Sequence, residues 1–191
     1  GEITAANVLT RLLRLSQLTG GFLREDSSER PIQISDAKLA ALADIVDSAA
    51  EDDRKLVIIA RFLPEIDAIQ RMLEKKSINY SVISGEIRDR DEQVRRFQTD
   101  PYVTVFVGQI ATAGMGITLT AADTMVFYSL DYSMSNFEQA KARIHRVGQR
   151  NPCTYLYLVA EGTVDEKVLQ ALRDKADLAR ILIDEYRAGR N

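Results

Sequence analysis

The sequence predicts a three-layer α/β fold, a mainly parallel sheet flanked by helices, with helical extensions at both ends. Two observations carry this expectation. Short continuous runs of apolar and β-branched residues, LVIIA at 56–60 foremost, have the composition of strands buried on both faces. The periodic stretches between such runs are long enough to be crossover helices, which implies parallel pairing.

The elements follow in order. Residues 5–19 read as a helix, with Val8, Leu12, Leu15 and Leu18 or Thr19 at helical spacing and Gly20-Gly21 as its stop. REDSSERPIQIS at 24–35 is polar and charged and reads as a linker or exposed loop. Ser35 or Asp36 then caps a helix striped by Leu39, Leu42, Val46 and Ala49. After the strand at 56–60, Pro64 suits the first turn of a helix to about Lys75. Tyr80–Ser84 is the next strand. Asp89 with Glu92 resembles a capping box for a helix to Gln98. Val103–Gly108 and Thr124–Ser129 are further strands. Ser135 with Glu138 caps a helix through about Val147, Thr154–Ala160 is the fifth strand, and Thr163 with Glu166 opens a helical tail to about Arg187.

Composition narrows the function classes. The 191 residues carry 25 basic and 28 acidic side chains, a net charge of −3. Slight acidity argues against attraction of nucleic acid over the whole surface but leaves room for a local basic stripe. An apolar content of 46% excludes a mainly disordered chain. The single cysteine, Cys153, cannot form an internal disulfide, which points to a reducing, intracellular home. With one histidine, His145, beside it, a Cys/His metal site is not expected. No apolar run approaches the ~20 residues that span a bilayer, so no membrane partner is expected. The start, GEITAANVLTRLL, lacks the pattern of a secretion signal, and Gly1 in place of Met reads as a trimmed start.

In a parallel sheet, ligands gather beyond the carboxyl ends of the strands. The richest chemistry lies in QAKARIHRVGQ at 139–149. On a helix with about 100° per residue, Arg143 and Arg146 fall roughly 40° and −20° from Gln139, sharing a face. Arginine is always charged and its planar fork matches phosphate oxygens. His145 points off that face and reads as a packing or hydrogen-bonding residue. A solvated helix face with salt bridges is the plainer reading of the same spacing. QIATAGMGITLTAA at 109–122 follows a strand and is built of small residues that let backbone approach an anion, although a tight turn explains Gly114-Met115-Gly116 equally well. It is neither a Rossmann fingerprint nor a Walker A loop, and no Walker A loop occurs anywhere in the chain. Ser84-Gly85 through Asp89-Arg90 reads as an exposed turn, with a phosphate contact at the following helix start as the functional alternative. Asp131 is a lone acid after a strand, and Cys153 opens a strand expected to be buried, which makes it inert.

These residues together resemble the second RecA-like lobe of superfamily-two helicase-like ATPases of the Swi/Snf type, which are DNA translocases. KLVIIARF at 55–62 is similar to motif four, YSVISG at 80–85 with Arg90 and Phe97 to the motif after it, and QIATAGMGITLTAAD at 109–123 to motif five. QAKARIHRVGQ is the most specific match, to motif six. The resemblance covers nearly the whole chain, including NVLTRLLRLSQLTGGF and SDAKLAAL, and MGITLT is similar to the annealing-helicase branch. Three positions depart from the family: Gln109-Ile110 replaces Ser-Thr, Ala142 replaces an acid, and Tyr132-Ser133-Met134 replaces aromatic-Asn-Pro. The first puts a hydroxyl contact with the DNA backbone in doubt there.

The resemblance implies three parts: an N-terminal helix and linker (1–35) packing on or leading into the lobe, a RecA-like lobe (36–162) and a helical extension (163–191). It implies ATP bound with magnesium between this lobe and an N-terminal lobe of the same polypeptide, which holds most of the metal's ligands. Arg146 is then the arginine finger, Arg143 a second γ-phosphate contact, Gln139 an ordering residue, and Gly114 and Gly116 the nucleotide-facing backbone. Gly85, Arg90, Gln109 and Thr112 contact phosphates of double-stranded DNA, and DNA-bound proteins are further partners. The setting is the nucleus in a eukaryote, or the cytoplasm and nucleoid in a prokaryote or virus. The competing reading is a self-sufficient α/β module that binds a nucleotide or other phosphate without motor activity. An RNA-helicase lobe is disfavoured because it carries a further arginine where this chain has Gln149.

Overall fold

The computed structural model describes residues 5–23, 31–85 and 89–175. In chain order the elements are α1 (Ala5–Thr19), β1 (Phe22–Leu23), β2 (Ile32–Gln33), α2 (Ala37–Glu51), β3 (Leu56–Ala60), α3 (Leu63–Lys75), β4 (Asn79–Ile83), α4 (Arg90–Thr99), β5 (Val103–Gln109), a 3-10 helix (Ile110–Met115), β6 (Thr124–Phe127), α5 (Met134–Lys141), β7 (Thr154–Tyr157) and α6 (Val164–Arg173). Strands β3 to β7 form a five-stranded sheet in the order β4-β5-β3-β6-β7, and every pairing in it is parallel.

The layering follows from strand alternation. Central strand β3 is buried along its length. Leu56, Ile58 and Ala60 join Leu42 and Val46 of α2 and Ile66, Ile69 and Leu73 of α3 in one core. Val57 and Ile59 join the other, with Leu12 of α1, Phe97 of α4, Phe137 and Ala140 of α5, and Val168 and Leu172 of α6. Full burial of each valine, leucine, isoleucine and phenylalanine among them contributes roughly 1.5–3 kcal/mol, so both faces of the sheet hold their helices.

The structure corrects several expectations. The segment at 24–35 is not all loop: β2 pairs antiparallel with β1, and the Ile34 and Ser35 N–H groups donate to the Gly21 carbonyl. Residues 24–30 lie outside the described residues. On α1, Leu12 is buried, but Leu15 and Leu18 are 47% and 40% exposed, while Ser16 and Gln17 are buried. Polar partners set that inward face: Ser16 Oγ lies 3.2 Å from the Tyr132 hydroxyl, and Thr19 donates to Asp165 at 2.7 Å. The start of α4 is not a capping box, because Asp89 makes no side-chain cap bond and Glu92 pairs with Arg95 instead. Strand β7 is an edge strand, only half-buried. Thr163 does cap α6, accepting from Asp165 N–H, but the helix ends at Arg173. The remainder of the expected tail, 176–191, lies outside the described residues.

Helix α5 departs most. Ser133, not Ser135, is its N-cap, accepting from Asn136 N–H at 3.2 Å. Asp131 fixes that start by accepting from Ser133 N–H and the Asn136 amide. The helix ends at Lys141 rather than Val147 because later carbonyls have tertiary partners: Arg143 C=O accepts from Leu119 N–H and Ile144 C=O from the Gln149 amide.

Candidate functional site

Parallel pairing brings the carboxyl ends of β3, β4, β5 and β6 to one edge of the sheet. The chain leaves β5 at Gln109 into the 3-10 helix, which holds Gly114, and Gly116 closes that helix with φ 70°. A left-handed conformation suits glycine. Nothing lies within 4 Å of where a Cβ would stand, so conformation rather than crowding makes the demand.

Gln109 spends its amide on neighbouring strand ends. Its Oε1 accepts from Gly85 N–H at 3.1 Å, and its Nε2 donates to the Arg61 carbonyl at 3.3 Å. Two of the expected DNA-backbone residues are therefore bonded to each other. Thr112 is buried, and its hydroxyl donates to the Gln109 carbonyl at 2.6 Å. Arg90 is the first residue of α4.

Beyond Gly116 the chain runs back along the 143–149 segment. Leu119 N–H donates to the Arg143 carbonyl at 2.9 Å. Arg146 donates to the carbonyls of Gly116 (2.8 Å) and Ile117 (3.0 Å) and to Thr118 Oγ1 (3.3 Å). Arg143, 8% exposed, reaches the same Ile117 carbonyl at 3.4 Å, and its Nε is buried without a partner. Burial, then the nearby Arg146, pull the Arg143 pKa downward. The two guanidiniums thus meet although the helix expected to carry them ends earlier. Gln139 does not join them: its amide donates to Ser135 Oγ at 2.8 Å. His145 is exposed rather than packed as expected, and so is Val147 beside it.

Two features escaped the sequence reading. Gln149 is a hub. Its Nε2 donates to the carbonyls of Ala122 (2.8 Å), Ile144 (3.1 Å) and, at the limit, Thr120 (3.5 Å), while its Oε1 accepts from Arg150 and Asn151 N–H. The only signal was a glutamine directly after Gly148, which has φ 101°. The second is Glu65, 1% exposed at the start of α3. Its Oε2 accepts from the Arg61 and Phe62 N–H groups and from Ser129 Oγ–H. Burial pushes its pKa up to about 7 despite those bonds and the field of Lys38. Cys153 is half-buried and burial pushes its thiol pKa up, which keeps it protonated.

Comparison with known proteins adds a family. The helicase conserved C-terminal domain matches residues 37–148. The Chromatin-remodeling ATPase INO80 of Cryptococcus neoformans var. neoformans serotype D is 31% identical over 192 residues, covering 94% of this chain and 11% of that protein. INO80 of Mus musculus is 31% identical, covering 85% of this chain and 10% of its own length. Helicase SWR1 of Eremothecium gossypii is 30% identical over 156 residues, covering 81% and 10%. The chain thus spans about a tenth of these relatives. The crystal structure of the C-terminal part of the Fun30 ATPase domain superposes with a TM-score of 0.66 at 23% identity, over 70% of this chain and 44% of that one, a likeness of fold.

Proposed function

Since the chain belongs to the helicase conserved C-terminal domain family and is a RecA-like lobe of the Swi/Snf type, we propose that it is the C-terminal motor lobe of an ATP-dependent double-stranded DNA translocase or remodeller. The observation that carries this reading is the convergence of Arg143 and Arg146 on the Ile117 carbonyl, directly after the loop that Gly116 closes. Both guanidiniums have capacity for an anion. Arg146 is exposed with only neutral oxygens as partners, Arg143 Nε has none, and neither is ion-paired among the described residues.

An N-terminal lobe of the same polypeptide completes the site. Bound ATP with magnesium supplies the phosphoryl group and its charge neutralisation, the metal being held mainly by that other lobe. Arg146 exchanges its carbonyl partners for the γ-phosphoryl oxygens, as an arginine finger worth roughly 10³–10⁵ in rate. Arg143, fixed by burial, makes the second contact. Gly114 and Gly116 bring backbone close to the nucleotide, and Gln139 steadies α5. Gly85, Arg90, Gln109 and Thr112 contact phosphates of one DNA strand, Gln109 and Thr112 by exchanging their internal bonds. Such contacts carry no sequence information, as movement along any sequence requires. The 36–162 lobe does this work, flanked by 1–35 and 163–191, on intracellular DNA and the proteins bound to it. The lobe alone hydrolyses little ATP.

The test is steady-state ATP hydrolysis by the intact polypeptide with and without duplex DNA, natural sequence against Arg146→Ala. DNA stimulation that collapses in the variant, with ATP binding retained, is expected. Unchanged stimulation moves the finger to Arg143. Absence of DNA stimulation in the natural sequence, or robust hydrolysis by the 191 residues alone, overturns the half-motor reading.

A further inference from the structure

Helix α1 ends against a buried acid. The carboxyl end of a helix gathers partial negative charge and favours a cation, yet the last turn of α1 carries no basic residue. The carboxylate of Glu65 lies there instead. One of its oxygens, Oε2, is saturated by the Arg61 and Phe62 N–H groups and the Ser129 hydroxyl. The other, Oε1, is buried without a hydrogen-bond partner. It occupies the place that a Gly20 Cβ would take, and the Ser16 carbonyl lies 3.2 Å from the same point. Glu65, Gly20, Ser35 and Tyr128 are among the residues that line a cavity of about 50 Å³, large enough for a small ion.

This spot is rich in oxygen and poor in positive charge. The Ser16 carbonyl already accepts from Gly20 N–H and the Thr19 hydroxyl. The Gly20 carbonyl meets the Tyr128 hydroxyl only at 3.5 Å, and burial pushes that phenol's pKa up, so it stays protonated. Lys38 of α2, the nearby cation, is spent on Asp165 of α6 and the Tyr128 carbonyl. The Arg61 guanidinium lies over the rings of Phe62 and Tyr132, and Arg71, at the cavity rim, is exposed. Glu65, Lys38 and Asp165 together therefore leave one negative charge unmatched. The Glu65 pKa of about 7 is the response of a carboxylate buried without a counter-ion.

We propose that Glu65 Oε1 and the carbonyls at the end of α1 form a monovalent-cation site that takes sodium or potassium. Hard cations take oxygen ligands of this kind, and a single carboxylate among neutral carbonyls balances one positive charge. A water molecule would donate to the same oxygens but leave the charge unmatched. The ion ties the end of α1 to the start of α3. None of the residues assigned above to nucleotide or DNA takes part.

The experiment follows hydrogen–deuterium exchange at the Gly20, Arg61 and Phe62 amides of the intact polypeptide, in potassium or sodium chloride against choline chloride at equal ionic strength. Choline is too large for the cavity and serves as the blank. An ion bound only to the closed state multiplies protection, so at about pH 8 exchange should slow about tenfold at an ion concentration about ten times Kd. At about pH 5.5 the proton takes Oε1 and the difference between salts should vanish. Glu65→Gln keeps an acceptor for the Arg61 and Phe62 N–H groups but removes the charge, and its exchange should be the same in all three salts. Equal exchange of the natural sequence in choline and in both small-ion salts at about pH 8 overturns the site and leaves a water or a proton on Oε1. A difference that persists in acid, or in a folded Glu65→Gln, puts the ion elsewhere and overturns the assignment as well. Should Glu65→Gln fail to fold, the comparison of the two pH values in the natural sequence decides.

Discussion

Replacing Gln149 by alanine removes the fastener between the 120–122 and 142–151 segments. Its bonds to Ala122 C=O and Ile144 C=O are 2.8 and 3.1 Å long, and both of those residues are fully or nearly fully buried. Water cannot replace the lost donor readily there: the abandoned Ala122 carbonyl costs about 1–3 kcal/mol, while Ile144 C=O, which keeps Arg146 N–H at 3.2 Å, loses a bond worth about 1 kcal/mol. The two bonds accepted from Arg150 and Asn151 N–H face solvent and add little, because both residues are exposed. The expected loss is therefore about 2–4 kcal/mol, and for a domain of this size each kcal/mol lowers Tm by about 2–4 °C. Thermal unfolding followed by circular dichroism should show a fall of about 5–15 °C. Gln149→Glu should be worse than alanine, since a carboxylate keeps the acceptor bonds but stands against two carbonyls with nothing to donate. A Gln149→Ala transition within about 2 °C of the natural protein, or a Glu variant more stable than the Ala variant, refutes the hub.

Two further predictions concern the packing around α1. Glu65 has its pKa raised from 4.5 to about 7 in the folded state, so between those values the unfolded chain binds fewer protons than the folded one. Stability therefore falls as pH rises through that window, by at most about 3 kcal/mol, and is flat above it. Urea midpoints at pH 5 and 7.5 should differ less in Glu65→Gln than in the natural protein, and equal differences in the two would show that Glu65 is not the group responsible. Asp165 accepts from Thr19 Oγ1, Lys38 Nζ and Ala160 N–H, and the Lys38 side chain is only 9% exposed. Asp165→Ala leaves that ammonium unpaired and should cost about 3 kcal/mol in urea denaturation; a loss below about 1 kcal/mol would mean that α1 docks without it.

The sheet was legible because its cue is intrinsic: a five-residue run such as LVIIA, apolar at every position, has to be covered on both sides, and α2 and α3 cover one side while α4 to α6 cover the other. Element ends were less legible because competing partners decide them. Ser133 and Ser135 both have side chains suited to a cap, and Asp131 selects Ser133 by accepting from its N–H group. The α5 helix stops short because Leu119 and Gln149 claim the carbonyls that would have continued it. The leucines of α1 misled for a similar reason, since hydrogen bonds to Tyr132 and Asp165 turned Ser16 and Thr19 inward. In the site, the meeting of Arg143 with Arg146 was readable from spacing, because both side chains are long enough to reach one carbonyl even from a loosened turn. The pairing of Gln109 with Gly85 joins residues 24 apart through a side-chain amide, and nothing in local pattern encodes it.

The stretch from Gly116 to Ala122 acts as a tie rod. One end carries the guanidinium of Arg146 on the carbonyls of Gly116 and Ile117. The other end is clamped by Gln149, and by Gln98 of α4, which accepts from Ala121 N–H at 2.8 Å and donates to Thr120 Oγ1. Hydrogen bonds therefore run without a break from the arginine, along this stretch of backbone, to the helix that Arg90 begins.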